Sequence, residues 1–249
     1  FERLIRSDTR LVVCTHASNV TGTVLPIGEI GRICAERGVP FCVDAAQSAG
    51  ILDINMREQM IDYLCVAPHK GLYAPMGTGL LIALGDIPST LTEGGTGSMS
   101  SSYDQPRDYP ERFESGTLNV PGIFGISAGI DFVSGKKPEE IYSYEMKLIR
   151  RAFEGLGSIP DAVIYSEYPT DGKSVPTLSF NIKGRASTET ADFLASRGIA
   201  VRAGLHCAPM AHRRLGTLES GTVRICCSVF NSASDIDALL TALKNYSRR

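Results

Sequence analysis

The sequence lacks a strong excess of charge of either sign. Its 25 Lys and Arg residues nearly balance 27 Asp and Glu residues, for a formal charge of -2, so no basic surface for nucleic acid is indicated. It also lacks any run of about 18 or more apolar residues, so no membrane span is predicted. Small molecules and other proteins remain as the expected partners. With 249 residues, 43% of them hydrophobic, the chain can fold as one large domain or two small ones.

The number of cysteines is odd, and no two of them form a C-x-x-C pair. There are seven, at positions 14, 34, 42, 65, 207, 226 and 227, and four of them lie in apolar runs, where we expect small buried side chains. This usage is typical of a reducing cytoplasm rather than a disulfide framework. The sequence has no initiator Met and no signal-peptide layout, so we expect its natural beginning to lie upstream.

The first half of the sequence alternates between strand and helix signals. An apolar β-branched run at 10–16 precedes a helix signal at 26–38, which opens with Pro and closes with Gly, and a second apolar run at 39–44 follows. This order predicts a βαβ unit with parallel strands. Further strands are predicted at 61–67 and 77–84. Residues 85–123 are rich in turn formers and predict a functional or mobile loop.

The second half has a different pattern. A helix with a broad apolar stripe is predicted at 137–155. It is followed by strands at 175–183, 199–204 and 222–230 and by helices at 187–198 and from about residue 234. This mixture predicts a smaller α+β domain. We therefore divide the chain into a large α/β domain over 1–133, with a mostly parallel sheet flanked by helices, and a small α+β domain over 134–249.

Polar side chains collect where the first three predicted strands end. They are His16 and Asn19, Asp44 and Gln47, and His69 and Lys70. Because ligands bind outside the carboxyl ends of strands in open α/β sheets, these residues predict one site. Asp44 follows an apolar run, so we expect it to be partly desolvated and to meet a cation or several donors.

Lys70 has two interpretations. It could simply be the ion-pair partner of Asp44 at the surface. A lysine at a dry edge with positive or dipolar neighbours instead tends towards the neutral amine, which reacts with aldehydes. Pyridoxal phosphate requires such a lysine, together with an Asp that keeps its ring nitrogen protonated.

Six motifs carry a resemblance to a known family: "THASNVTGTVLPIGEIGRIC", "VDAAQSAGILDI", "APHKGLYAPMGTGLL", "FESGTLNVPGI", "VRAGLHCAP" and "VRICCSVFNS". In this order and spacing the chain resembles the class V aminotransferase family of pyridoxal-phosphate enzymes, which has fold type I. It is most similar to the cysteine desulfurases, close to the selenocysteine lyases. The resemblance covers essentially the whole chain, which looks like the later two thirds of a desulfurase with part of its large cofactor domain missing.

The resemblance implies a role for each residue at the strand ends. Lys70 would hold the cofactor as a Schiff base and move a proton. Asp44 would pair with the pyridinium nitrogen, Gln47 would bond the phenolic oxygen, and His16 would stack on the ring and take part in proton transfer. Asn19 would lie near the substrate carboxylate.

The phosphate end of the implied site is less complete. His69 would contact the phosphate, and Thr117 would reach the phosphate of the neighbouring subunit, which implies a homodimer. Ala67 stands where the family often has a hydroxyl ligand. The Gly-Thr turn and helix N-terminus that normally hold the phosphate would lie upstream of Phe1.

Two arginines are candidates for binding a substrate carboxylate, because Arg can form two parallel hydrogen bonds to it. Strand alternation in "TVRICCSVF" puts Arg224 on the same face as Cys226 and Ser228, and in the family this Arg position binds the carboxylate. Arg202 is the second candidate, with a surface ion pair as its alternative.

Cys207 lies in a loop bounded by Gly and Pro, so we expect it to be more accessible than the other six cysteines. His206 beside it is expected to favour the reactive thiolate. The resemblance implies that Cys207 takes sulfur from L-cysteine, or selenium from selenocysteine, releasing alanine and leaving an enzyme persulfide. A sulfur-acceptor protein and iron-sulfur cluster assembly follow from it. Leu205 stands where the family often has a first His.

Three alternatives remain. The chain could be another class V enzyme, an aminotransferase or amino-acid lyase, although transamination needs no thiol. It could be an inactive fragment or a sulfur-relay protein. A metal site could form from His206, Cys207, Cys226 and Cys227, although vicinal cysteines do not easily provide tetrahedral spacing.

Overall fold

The computed structural model describes residues 1–85, 87 and 89–247. Within them it has two four-stranded sheets and six α-helices. The strands are β1 Val12–Thr15, β2 Phe41–Asp44, β3 Tyr63–Val66, β4 Leu80–Ala83, β5 Ala162–Ile164, β6 Thr177–Ile182, β7 Arg202–Gly204 and β8 Thr222–Cys226. The helices are α1 Ile27–Glu36, α2 Val120–Lys136, α3 Pro138–Gly157, α4 Ser187–Ala195, α5 Pro209–Leu215 and α6 Ala233–Ser247.

The first sheet has the order β1-β2-β3-β4, with β1, β2 and β3 parallel and β4 antiparallel. The predicted βαβ unit is confirmed, because α1 connects the parallel pair β1 and β2. The apolar face of α1 buries Ile27, Ile30 and Cys34 against this sheet. Gly31 allows a close approach, because a Cβ there would lie 2.0 Å from the carbonyl oxygen of Gln59.

The second sheet has the order β5-β6-β8-β7 and is antiparallel throughout. Every residue of the central strand β6 is buried, and its apolar side chains Leu178, Phe180 and Ile182 pack in a core with α3, α4 and α6. The strands predicted at 175–183, 199–204 and 222–230 are present as β6, β7 and β8, but β7 covers only the second half of its predicted range and β8 ends at Cys226, so the prediction of strand over 227–230 is wrong. Two short elements, β5 and α5, were not among the predictions.

Helix α2 is the main element that the periodicity does not predict. It contains four glycines and shows no clear apolar stripe, and Gly is a poor helix former. Its start does carry a signal, because the Asn119 side chain accepts a hydrogen bond from the Gly122 amide. The glycines have a packing role: a Cβ at Gly129 would lie 2.1 Å from the Leu72 carbonyl oxygen, in the segment after Lys70. The predicted division between 133 and 134 falls inside α2 and stays a prediction.

The segment after β1 joins the two sheets. The Ser179 hydroxyl of β6 donates a 2.6 Å hydrogen bond to the carbonyl of Val20, and Thr23 forms a bridge with Ser174. Because this segment lies against β6, the carboxyl ends of β1 and β2 face the second sheet. A cavity forms between them.

Candidate active site

The cavity between the two sheets has a volume of about 340 Å³. Six of the predicted site residues line it: Asn19, Gln47, Lys70, Arg202, Cys207 and Arg224. Four others lie outside its wall: His16, Asp44, His69 and Thr117. The fold therefore brings an amine, a thiol and two guanidinium groups to one cavity from segments far apart in the sequence.

Lys70 lies in the turn after β3, where its backbone amide donates to the Ala67 carbonyl at 3.1 Å. Its side chain is exposed and lines the cavity. Within the described residues no carboxylate lies within 4.0 Å of its ammonium nitrogen. The alternative interpretation, a surface ion pair with Asp44, is therefore wrong.

Asp44 does not have the expected environment. It is exposed, and its Oδ1 accepts one hydrogen bond, from the Ala46 amide at 2.9 Å. The expectation of a desolvated carboxylate is wrong because β2 alternates. Phe41 and Val43 face the core, while Asp44 faces the opposite side of the sheet, where the neighbouring strand exposes 62% of Val13.

His16 is buried at the carboxyl end of β1. It is 4% exposed, and its Nδ1 lies 2.9 Å from the Ser48 hydroxyl. Burial lowers the pKa of His16, which favours the neutral ring. His69 and Thr117 are exposed and do not line the cavity.

A chain of hydrogen bonds connects the first sheet to the Cys207 loop. Arg224 Nη1 donates to the Asn19 carbonyl at 2.7 Å, and Asn19 Nδ2 donates to the His206 carbonyl at 2.6 Å. His206 Nε2 lies 3.0 Å from the Thr222 carbonyl. A carbonyl can only accept, so Nε2 carries the proton and the buried Nδ1 has no partner.

Cys207 is presented by a strained turn. His206 and Cys207 have φ values of 50° and 59°, in the left-handed region that residues with a Cβ rarely adopt. The Cys207 side chain is exposed. His206 is 4% exposed, and its burial and the nearby Arg224 lower its pKa to about 4. His206 is therefore neutral at neutral pH, and the expectation that it favours the Cys207 thiolate stays a prediction.

The positive charge at the cavity comes from the two arginines. Arg202 and Arg224 are partners in register on β7 and β8, and like charges directly opposite each other destabilise a sheet. Neither has a carboxylate within 4.0 Å among the residues that the structure describes. Arg224 Nε is buried without a partner. This arrangement suits an anionic ligand.

Two polar residues of the cavity wall, Tyr73 and Glu145, were not predicted as site residues, and its Cys226 and Cys227 were named only in the alternative metal site. Cys226 is exposed like Cys207, while the other five cysteines are buried or half-buried; the expectation that Cys207 is the most accessible cysteine stays a prediction. Glu145 is buried and lies four residues from both Ile141 and Ile149. That spacing places it on the apolar face of α3, and it was the available signal.

Comparison with known proteins identifies the family of the chain. A family model of the class V aminotransferases matches residues 1–239. The chain belongs to the class V aminotransferase family. This family, including its cysteine desulfurases, depends on pyridoxal phosphate. The resemblance predicted from the six motifs is confirmed.

The relatives include a probable cysteine desulfurase of Methanothermobacter thermautotrophicus, 35% identical over 96% of this chain and 60% of the relative. A cysteine desulfurase of Enterobacter sp. is also 35% identical, over 98% of this chain and 60% of the relative. Among solved structures, the apo cysteine desulfurase of Thermococcus onnurineus has a TM-score of 0.84 at 32% identity, over 96% of this chain and 60% of that one.

The cysteine desulfurase CsdA of Escherichia coli has a TM-score of 0.85 at 26% identity, over 98% of this chain and 60% of that chain. The chain thus spans about 60% of the length of these relatives. The predicted fold class, that of a pyridoxal-phosphate enzyme of fold type I, is confirmed. Across the described residues, no helix has both the length and the apolar character needed to cross a membrane.

Proposed function

We propose that the protein is a pyridoxal-phosphate-dependent cysteine desulfurase, which removes sulfur from L-cysteine and leaves alanine and a persulfide on Cys207. The observation that carries this proposal is the shared cavity of Lys70, Cys207, Arg202 and Arg224. The activity named for the relatives supports it.

The cavity residues fit pyridoxal phosphate and its substrate. Lys70 has no ion-pair partner among the described residues, so its amine is free to bind an aldehyde. Gln47 would hold the ring oxygen. Asp44 and His16 lie outside the cavity wall, at the neighbouring strand ends, and we assign them to the ring nitrogen and the ring face. When bound, the cofactor supplies an electron sink for the bonds around the substrate Cα.

Arg224 and Arg202 would bind the carboxylate of L-cysteine. Their side-by-side charges become favourable only when an anion lies between them. Asn19 holds Arg224 in place through its carbonyl and reaches the cavity itself. These contacts would fix which end of the amino acid faces Lys70 and which faces Cys207.

Cys207 would accept the sulfur. Its thiolate forms a bond to the substrate sulfur while the Cβ–S bond breaks, and the carbon skeleton takes up protons to become alanine. The sum is balanced: cysteine and the Cys207 thiol give alanine and the Cys207 persulfide. Arg202 and Arg224 line the same cavity as Cys207, so the substrate that they bind would lie within reach of its sulfur.

The remaining roles extend beyond this cavity. His69 and Thr117 are exposed outside its wall. We assign His69 to the cofactor phosphate, and Thr117 to the phosphate in the neighbouring subunit of a homodimer. A sulfur-acceptor protein would then take the persulfide sulfur from Cys207, which is exposed.

The proposal is tested by supplying pyridoxal phosphate and L-cysteine and measuring alanine and, with a reductant present, sulfide. We expect equal amounts of both products from the wild-type chain. Lys70→Ala should yield neither product, and Cys207→Ser should lose sulfide release while keeping the visible absorption of lysine-bound cofactor. Cys42→Ser is the matched control, because Cys42 is half-buried and lies outside the cavity. Unchanged sulfide release by Cys207→Ser would contradict the role of Cys207.

A further inference from the structure

A buried carboxyl group in the cavity wall has no part in the sulfur transfer described above. Glu145 of α3 is 2% exposed. Its Oε1 accepts a 2.8 Å hydrogen bond from the Tyr73 hydroxyl, and its Oε2 has no partner. No Lys, Arg or His side chain of the described residues lies within 4.0 Å of it. Burying a carboxyl group with one oxygen unbonded lowers the stability of the fold, so its presence calls for an explanation.

Tyr73 connects this carboxyl group to the turn of Lys70. The Tyr73 amide donates to the Lys70 carbonyl at 3.0 Å. Tyr73 has a φ of 53°, a left-handed conformation that persists only where the surroundings hold it. Its ring packs edge-on against Phe132 of α2 and Phe230 after β8, at 5.2 and 5.6 Å between centroids. The Tyr73 side chain therefore connects the turn of Lys70 to α2, to α3 and to the segment after β8.

The surroundings of Glu145 favour its neutral form. The groups that face it are the Tyr73 hydroxyl from the turn, and Cys227 and the Val229 amide from the segment after β8. Burial raises the pKa of Glu145 to about 7. A glutamine would keep the same shape and the same acceptor for Tyr73 without a charge. A leucine would remove the acceptor.

We propose that Glu145 and Tyr73 are a positioning pair that holds the turn of Lys70 against the cavity. The proposal rests on the proposed function of Lys70 as the lysine that binds the cofactor. Without the pair, Lys70 remains in the chain, but its amine moves relative to Cys207. A misplacement of about 1 Å lowers a catalytic rate by about 100-fold. Binding of the substrate carboxylate at Arg224 stays intact, so kcat should fall while KM changes little.

The first test measures amide hydrogen exchange over residues 70–76 in the protein without cofactor. Tyr73→Phe and Glu145→Leu should each speed exchange by about tenfold, because each removes the hydrogen bond. Glu145→Gln should restore wild-type exchange. Tyr142→Phe is the matched control, since the Tyr142 hydroxyl donates to the Ser174 carbonyl at 2.9 Å, away from Lys70. Tyr73→Phe keeps the test decisive if Glu145→Leu does not fold.

The second test traps pyridoxal phosphate on Lys70 with borohydride and measures kcat and KM for L-cysteine. We expect Tyr73→Phe to lower trapping and to lower kcat by about 10- to 100-fold at nearly unchanged KM, with Glu145→Gln close to wild type. Wild-type exchange and kcat in both Tyr73→Phe and Glu145→Leu would overturn the positioning pair and leave the proposed function standing. Absence of trapping on wild-type Lys70 would overturn the proposed function, while the exchange rates would still decide how the turn is anchored.

Discussion

Lowering the pH should destabilise the fold around the Cys207 loop, because His206 beside Cys207 is buried. This ring is 4% exposed, its Nε2 donates to the Thr222 carbonyl, and its Nδ1 has no acceptor. A second proton would have to enter a buried position near Arg224, so the pKa of His206 is lowered from 6.5 to about 4. The experiment lowers the pH and compares the stability of the wild type with that of His206→Gln. The glutamine amide can donate to the Thr222 carbonyl in place of the ring, but it does not titrate.

The magnitude follows from proton linkage. The unfolded chain binds the proton at its ordinary pKa of 6.5 and the folded chain only near pH 4, so this contribution is fully present above 6.5 and is lost as the pH falls towards 4. Each pH unit in that window is worth about 1.36 kcal/mol, which gives about 3 kcal/mol in all. Other groups titrate in both proteins and cancel in the comparison.

The assay is urea unfolding followed by circular dichroism between about pH 7 and pH 4. At neutral pH we expect His206→Gln to be less stable than the wild type, because the packed ring is lost. The gap between the two free energies of unfolding should shrink by about 3 kcal/mol on acidification. Parallel curves for the two proteins would refute the assignment of a buried, neutral His206.

Two further predictions concern the carboxylate site and the packing of α1. Arg224→Lys should raise the KM for L-cysteine about tenfold or more, because a single ammonium group cannot form two parallel hydrogen bonds; an unchanged KM would remove Arg224 from substrate binding. Gly31→Ala should lower the free energy of unfolding by about 1–3 kcal/mol, because its Cβ would meet the Gln59 carbonyl. Gly135→Ala, in helix α2 with nothing within 4 Å, is the matched control and should stabilise by up to about 1 kcal/mol.

The parts of the fold that the sequence predicts are those where local signals agree. Helix α1 has an opening Pro, a closing Gly and a regular apolar face, and the strands around it are short β-branched runs. The sequence does not predict helix α2, because its four glycines lower the local helix propensity. These glycines serve the packing of α2 against other segments instead. Gly129, for example, lets α2 approach the Leu72 carbonyl closely. A close contact between distant segments leaves no periodic signal in the chain.

The candidate site also has a part that the sequence predicts and a part that it does not. Strand ends predicted a site at Lys70, and strand alternation placed Arg224 on one face with Cys226; that the two residues share a site was implied by the family resemblance. The surroundings of these side chains were not predictable, because they depend on distant segments. Asp44 is exposed although an apolar run precedes it, and His206 is neutral because it is buried and Arg224 lies nearby. Glu145 was missed because an acidic residue on a helix is usually solvated.

The central claim is that Cys207 accepts sulfur from L-cysteine. The most direct measurement is mass spectrometry of peptides from the protein after reaction with pyridoxal phosphate and L-cysteine that carries labelled sulfur. The account predicts one labelled sulfur atom on the peptide that contains Cys207, removable by reductant, and none on the peptides of Cys42 or Cys65. Labelled sulfur on another cysteine, or alanine formed with no label on Cys207, would contradict it.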